Sequence, residues 1–138
     1  MAYEAHFRYQ LPTLDFSFSQ RDPWFYYGLY KLSNILFASE LARQGVEAVS
    51  LHPGLVKTQL LDKVGMKGSL SVEEGAKTTV FCVTAEKLTP GGYYVDEKES
   101  EERTEASKSE KLAAQLWQWS EERVAKFFPK EEGNKSEL

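Results

Sequence analysis

The sequence is poor in features that would by themselves define a class of function. Its 138 residues include one cysteine, Cys82, which excludes an intrachain disulfide framework and a cysteine-based zinc cluster and fits a reducing compartment. Lys plus Arg number 17 against 21 Asp plus Glu, so the net charge of −4 leaves no surplus of cations for nucleic-acid phosphates. No apolar run approaches the roughly 20 residues of a membrane span, and the N-terminus lacks the apolar stretch of a secretory signal. We expect an intracellular, cytoplasmic protein without a transmembrane segment.

The composition is that of one globular domain with a short tail. Hydrophobic residues make up 41% of the chain and charged residues 28%, and the 13% aromatic content opposes disorder. This length can bury a modest core. The polar residues 129–138 predict a tail outside the domain. His6 and His52 lie far apart in the sequence, and with a single cysteine they predict no metal site.

The first half of the chain predicts one long helix followed by a strand. Asp22 and Pro23 are residue types that favour an N-cap and a first helical position. Apolar residues then recur every three or four positions and predict one buried stripe. The helix is expected to end near Arg43, with Gly45 just beyond it. Residues 46–52 predict a strand.

The second half predicts a loop, a helix, a short strand and a final helix. Residues 55–71 predict a loop with one short helix, and the Ser-Val-Glu-Glu pattern at 71–74 is that of a capping box opening the next helix. Residues 93–95 predict a strand, and 112–127 predict a C-terminal amphipathic helix. Five residues supply the apolar face of the middle helix, which we expect to be the buried one: Ala76, Val80, Phe81, Val83 and Thr84.

Strands that alternate with helices predict a parallel α/β sheet. Two strands make a poor parallel sheet, because parallel strands normally lie inside larger sheets that are covered on both faces. We therefore expect the strand at 46–52 to need a further neighbour. On its own the chain is expected to form oligomers, to aggregate or to pack loosely.

Tyr27 and Lys31 form the first candidate for chemistry. They are four residues apart near the start of the first helix, so their side chains share a face and can reach a common ligand. A fixed ammonium near a tyrosine favours the phenolate. Such a pair can move a proton to or from a hydroxyl or carbonyl oxygen. The same spacing is common on ordinary helices, so the pair alone leaves a structural role open.

The segment from Pro53 to Thr58 is the second candidate. It follows the carboxyl end of the first predicted strand, the edge where ligands bind in open α/β sheets. Gly54 lets the backbone approach a flat ligand closely, and Thr58 offers a hydroxyl and backbone groups to an amide. A Pro-Gly pair after a strand is also an ordinary turn, so this segment alone leaves that interpretation open.

Taken together, these patterns resemble the short-chain dehydrogenase/reductase family. The residues within the motifs are most similar to those of its retinol dehydrogenase and WW-domain oxidoreductase branch. The resemblance continues through Ser-Val-Glu-Glu-Gly-Ala at 71–76 and Gly-Gly-Tyr-Tyr-Val-Asp at 91–96, and covers about residues 5–128. It implies an α/β, Rossmann-like fold, in which this chain is the C-terminal part of a doubly wound parallel sheet and is therefore incomplete.

The resemblance also implies roles for named residues. Tyr27 would be the catalytic acid/base, and Lys31 would favour its phenolate and hold the nicotinamide ribose. The nicotinamide would be lined by Pro53, Gly54, Val56 and Thr58. The implied cofactor is NAD or NADP. The implied substrate is a small lipid-like molecule or carbonyl compound with an alcohol/carbonyl pair, and the helix carrying Tyr27 and Lys31 implies a homo-oligomer or a partner chain.

Two expected parts of such a site are missing from the sequence. No Gly-x-x-x-Gly-x-Gly or Gly-x-Gly-x-x-Gly pattern occurs, so the phosphate cradle is lacking. Ala5 and His6 match the end of the stretch that carries the family's serine, but Ala2 and Tyr3 stand at its serine positions. We expect 1–128 to be a partial domain without the Gly-rich half, inactive in isolation. The alternative is a non-catalytic truncated chain that acts by association with a partner. The substrate and the choice between NAD and NADP stay open.

Overall fold

The computed structural model of the protein describes Leu14, Phe16 and residues 22–128. The match at residues 2–6 and the predicted tail at 129–138 lie outside the described residues. Within them, no helix is both long and apolar enough to cross a membrane. The elements in chain order are α1 (Pro23–Arg43), β1 (Ser50–His52), α2 (Gln59–Lys63), α3 (Val72–Thr84), β2 (Tyr93–Val95), β3 (Lys98–Glu99), a single 3-10 turn (Ala106–Lys108) and α4 (Glu110–Val124).

The ends of α1 are those predicted from the sequence. The Asp22 carboxylate accepts a hydrogen bond from the Trp24 backbone N–H at 3.3 Å, and Pro23 occupies the first helical position. At the other end Gly45 has a φ of +86°. The Val46 N–H bonds back to the Leu41 carbonyl at 3.0 Å, which closes the helix in a Schellman arrangement.

Strand β1 is shorter than predicted, at 50–52 instead of 46–52. The backbone N–H of Val46 is already used in closing α1, and the Ala48 carbonyl accepts from the Gly91 N–H at 2.8 Å outside the regular ladder. Residues 46–49 therefore form a connection, and only the last three residues of the predicted strand, 50–52, enter the sheet.

The sheet has the order β1-β2-β3 and is mixed. Strands β1 and β2 are parallel, with Ser50 opposite Tyr93, as the alternation of helices and strands predicts. Strand β3 pairs antiparallel with β2 through a tight turn at 96–97, which the sequence analysis did not predict. The expectation of a purely parallel sheet is therefore right only for the β1–β2 pair.

The main core lies between α1 and α4. Leu29, Leu32 and Leu36 of α1 are fully buried. They pack against Leu112 and its neighbours Ala113 and Leu116 of α4. Each helix presents a row of aliphatic side chains to the other, and the two rows pack together.

Helices α1 and α3 cover opposite faces of the sheet. Ile35 of α1 clusters with Tyr93 and Val95, whereas the Phe81 ring of α3 lies 6.1 Å from the Tyr94 ring. Successive residues of a strand point to opposite faces, so these contacts place one helix on each side. The small sheet is thus a layer between helices, as in a partial α/β domain.

Helix α3 begins where the sequence predicts, but the face that it buries is not the predicted one. The Ser71 hydroxyl accepts from the Glu74 N–H at 3.1 Å, and the Glu74 carboxylate accepts from the Ser71 N–H at 2.7 Å, which completes the capping box. The buried residues, however, are Gly75 and Thr78. The predicted buried face is wrong for four of its five residues, which are exposed: Ala76, Val80, Val83 and Thr84.

Candidate active site

A cleft of about 540 Å³ opens beside the carboxyl end of β1. Its walls come from one face of α1, from β1 and from the segment leading into α2. All six residues that the sequence analysis selected line it: Tyr27, Lys31, Pro53, Gly54, Val56 and Thr58. Residues 22 or more positions apart in the sequence are therefore brought to one cavity.

Helix α1 contributes Tyr27, Lys31 and Asn34, which occupy one face because they are spaced by four and three residues. The Lys31 Nζ lies 5.3 Å from the centroid of the Tyr27 ring. The Trp24 ring packs edge-on against the same tyrosine with a centroid distance of 5.8 Å. Tyr27 is half-buried and Lys31 is exposed.

The segment after β1 turns sharply at Gly54, whose φ of +81° is a left-handed conformation that side chains disfavour. A Cβ there would also collide with the Leu70 side chain. Beyond the turn, Val56 forms a parallel bridge with Leu70. The Lys57 N–H donates to the Leu70 carbonyl at 2.8 Å, and the Leu70 N–H donates to the Leu55 carbonyl at 3.0 Å. The segment is thus held on one side by backbone hydrogen bonds.

Two further glycines allow the close packing of this segment. A Cβ on Gly68 would lie 2.5 Å from the Lys57 nitrogen and 2.7 Å from the Val56 carbonyl carbon, both backbone atoms. A Cβ on Gly75 of α3 would overlap the Cγ2 atom of Val56. The position of Val56 in the cleft wall is therefore set by α3 as well as by the chain leading to it.

Thr58 is the N-cap of α2, yet its side chain makes no capping hydrogen bond. A threonine at this position ordinarily turns its hydroxyl towards the helix N–H groups. Here the residue is exposed and lines the cleft. Its hydroxyl is in a position to serve a group bound there.

His52 and Tyr93 complete the wall and were not selected from the sequence. Burial lowers the pKa of His52; the positive charge of Lys31 acts in the same direction and the carboxylate of Asp96 opposes it. Burial raises the pKa of Tyr93 to about 12. Both groups are therefore neutral at physiological pH. The position of His52 directly before Pro53, at the end of a strand, is the sequence feature that could have indicated it.

The chain is similar to curated oxidoreductases. It is 33% identical over 121 residues to a WW domain-containing oxidoreductase of Drosophila melanogaster, covering 77% of this chain and 30% of the relative. It is 35% identical over 108 residues to retinol dehydrogenase 12 of Mus musculus, covering 67% and 34%. With the short-chain dehydrogenase/reductase drtF of Aspergillus calidoustus it shares 26% identity over 125 residues, covering 72% and 40%.

These similarities show that the chain belongs to the short-chain dehydrogenase/reductase family, which implies a Rossmann-like fold. The chain spans between 30% and 40% of the length of these relatives. No family profile matches the chain, and no solved structure matches it.

Proposed function

We propose that this chain carries the proton-transfer part of an NAD(P)(H)-dependent oxidoreductase site that acts on an alcohol/carbonyl pair. The observation that carries the proposal is the convergence of the Tyr27–Lys31 face and the Pro53–Thr58 segment on one cleft. The relatives' names support the reaction class, since they include an oxidoreductase and a retinol dehydrogenase.

The residues of the cleft fit the nicotinamide end of the cofactor. The left-handed turn at Gly54 brings backbone close to the cavity, and the Thr58 hydroxyl is not used in capping. Lys31 supplies an ammonium for ribose hydroxyls. Residues for the pyrophosphate end are not identified, because the chain has no Gly-rich phosphate-binding pattern. The choice between NAD and NADP stays open for the same reason.

The cofactor, when bound, accepts or supplies a hydride. Tyr27 handles the accompanying proton at its hydroxyl oxygen. Lys31 is the cation beside this tyrosine, with its Nζ 5.3 Å from the ring centroid. Tyr93 keeps its proton, since its pKa is raised to about 12 by burial, so Tyr27 is the proton carrier of the two tyrosines. The neutral His52 adds no charge to compete with Lys31.

Part of the cleft lining is apolar and consists of Leu55, Leu60 and Leu61. We place the substrate against these residues, since such a wall suits a small lipid-like or carbonyl compound. We further propose that residues 1–128 form the C-terminal part of a doubly wound domain and that the protein acts in the cytoplasm. Helices on both sides of the β1–β2 pair support the first of these proposals.

The test joins a Gly-rich N-terminal half from a family member ahead of Ala5 and measures nicotinamide-dependent turnover of alcohols and carbonyls. Tyr27→Phe keeps the ring against Trp24 and removes the proposed proton carrier. General acid–base catalysis contributes about 10²–10⁴-fold, so turnover should fall by at least that factor. Lys31→Ala should weaken cofactor binding as well as turnover.

Tyr30→Phe is the matched control. Tyr30 lies on the same helix but is exposed outside the cleft, so its variant should keep most of the activity. The proposal is wrong if Tyr27→Phe turns over nearly as fast as the parent, or if Tyr30→Phe is the variant that abolishes turnover.

A further inference from the structure

A second cavity, of about 390 Å³, lies at the edge of the sheet opposite the candidate active site. It is bordered by Arg43, which ends α1, by Gly91, which precedes β2, and by Arg103 and residues 107–110, which lead into α4. The candidate active site lies instead beside the carboxyl end of β1, and the two cavities share no lining residue. The volume of the second cavity is in the range that holds a small organic ligand.

Three cations line the second cavity, namely Arg43, Arg103 and Lys108. Arg103 is half-buried, and its Nε atom is closed off from solvent without a hydrogen-bond partner in the described part of the chain. Among the same residues no carboxylate forms an ion pair with its guanidinium. Arginines that are withdrawn from water are normally paired. Arg103 therefore has a binding capacity that residues 22–128 do not use.

The carboxylates around the cavity do not supply the missing partner. Glu40 accepts from the Nε and Nη2 atoms of Arg43 at 3.0 and 3.3 Å. The pKa of Arg43 is raised, chiefly by the hydrogen bonds and charge of Glu40 and further by the charge of Glu110. Glu101 lies 4.0 Å from the Lys108 Nζ, but its side chain is 81% exposed, so water weakens this pair. The unpaired positive charge is therefore on the turn that leads into α4.

This turn is held in place by its own hydrogen bonds. Ser107 is fully buried. Its backbone N–H donates to the Thr104 hydroxyl at 3.1 Å, and its hydroxyl donates to the Thr104 carbonyl at 2.7 Å. The Ser109 hydroxyl accepts from the Leu112 N–H at 3.2 Å, which leaves its own proton to donate. Donors that are fixed before a ligand arrives lower the cost of binding it.

We propose that the second cavity binds a phosphate monoester of a small organic molecule, with the phosphate held by Arg103, Lys108 and Ser109. A guanidinium and an ammonium both bind phosphate oxygens. A phosphate monoester offers three acceptor oxygens to donors from different side chains, whereas a carboxylate offers two. The organic part would contact the apolar remainder of the wall: Ala42, Pro90 and Ala113. The site does not depend on the proposed catalytic role, since it shares no residue with the cleft.

The test is calorimetric titration of the full chain with phenyl phosphate, inorganic phosphate and benzoate at constant ionic strength. Phenyl phosphate should bind with a dissociation constant of about 1 mM or lower. Inorganic phosphate should bind more weakly because it lacks the organic part, and benzoate should bind about tenfold more weakly than phenyl phosphate. The proposal is overturned if phenyl phosphate does not bind, or if benzoate binds as tightly.

Variants locate the binding. Arg103→Gln should raise the dissociation constant of phenyl phosphate about tenfold, because it removes the unpaired guanidinium. Lys108→Gln should raise it about threefold, and carries the test if circular dichroism shows that Arg103→Gln changes the fold.

Two matched controls each remove one positive charge elsewhere. Lys111 is exposed on α4 outside the cavity, and Lys31 lines the candidate active site. Lys111→Gln and Lys31→Gln should leave the dissociation constant unchanged. An equal loss of affinity in Lys111→Gln would mean attraction to overall charge, and a loss in Lys31→Gln would place the ligand in the other cleft. Either result would overturn the proposal, as would unchanged affinity in both Arg103→Gln and Lys108→Gln.

Discussion

Replacing Gly75 by alanine tests whether α3 sets the position of the cleft wall. The new Cβ would overlap the Cγ2 atom of Val56 and would lie 3.1 Å from its Cγ1 and 3.2 Å from its Cβ. The clash is with the stem of a branched side chain next to a bridged backbone, so it cannot be relieved by moving a flexible end. Either α3 or the segment at 53–58 must move.

Two opposing effects decide the sign of the change. Alanine is favoured over glycine inside a helix by about 1 kcal/mol. Overpacking a tight contact costs about 1–3 kcal/mol. The contacts at Gly75 are closer than van der Waals distance on three atoms, so we expect the overpacking to exceed the helix gain. The net result should be a loss of stability of roughly 1 kcal/mol.

Urea unfolding followed by circular dichroism measures this change. The double variant Gly75→Ala/Val56→Ala removes the colliding methyl groups and should be more stable than the sum of the single changes predicts, with a coupling of about 1 kcal/mol or more. Ala76→Gly, on the exposed side of α3, should lose about 1 kcal/mol from helix propensity alone and calibrates that contribution.

The reasoning is refuted if Gly75→Ala stabilises the protein by the full helix gain. It is equally refuted if the two substitutions at Gly75 and Val56 are additive, because the predicted contact would then not exist.

Three further results are expected. The turn residues Asp96 and Glu97 have φ values of +49° and +59°, so Asp96→Asn/Glu97→Gly should raise stability by roughly 1 kcal/mol in thermal unfolding; a decrease would contradict this. Burial lowers the pKa of His52, so the unfolded chain takes up the proton first as pH falls below about 6.5, and stability present at neutral pH is lost on acidification. In the His52→Gln variant the melting temperature should depend less on pH between pH 7 and pH 5. The same pH dependence as in the parent protein would contradict this prediction. Because no Gly-rich cradle is present, calorimetric titration of the isolated chain with NADH should give no binding as strong as about −8 kcal/mol, the value for a micromolar constant; a micromolar constant would disprove it.

The features of the fold that could be predicted from the sequence depend on contacts between residues close in sequence. The Asp22–Pro23 start of α1, its closure at Gly45 and the Ser71–Glu74 capping box are each made within a few residues, so the residue types alone indicate them. The common face of Tyr27 and Lys31 follows from helical spacing in the same way.

The approach of that face to the segment after β1 was implied only by a family resemblance and by the rule for the carboxyl edges of sheets. The cleft shared by Tyr27, Lys31 and the 53–58 segment agrees with it. The catalytic roles of these residues stay predictions that Tyr27→Phe and Lys31→Ala would test.

Tertiary contacts decided the rest. Helix α3 turns Gly75 and Thr78 inwards, and not its valines, because only a residue without a side chain fits against Val56. His52 enters the cleft wall because β1 pairs with β2 far along the chain. Periodicity shows which side chains share a face, but it does not show which face meets a neighbour, since that depends on the shape of residues distant in sequence.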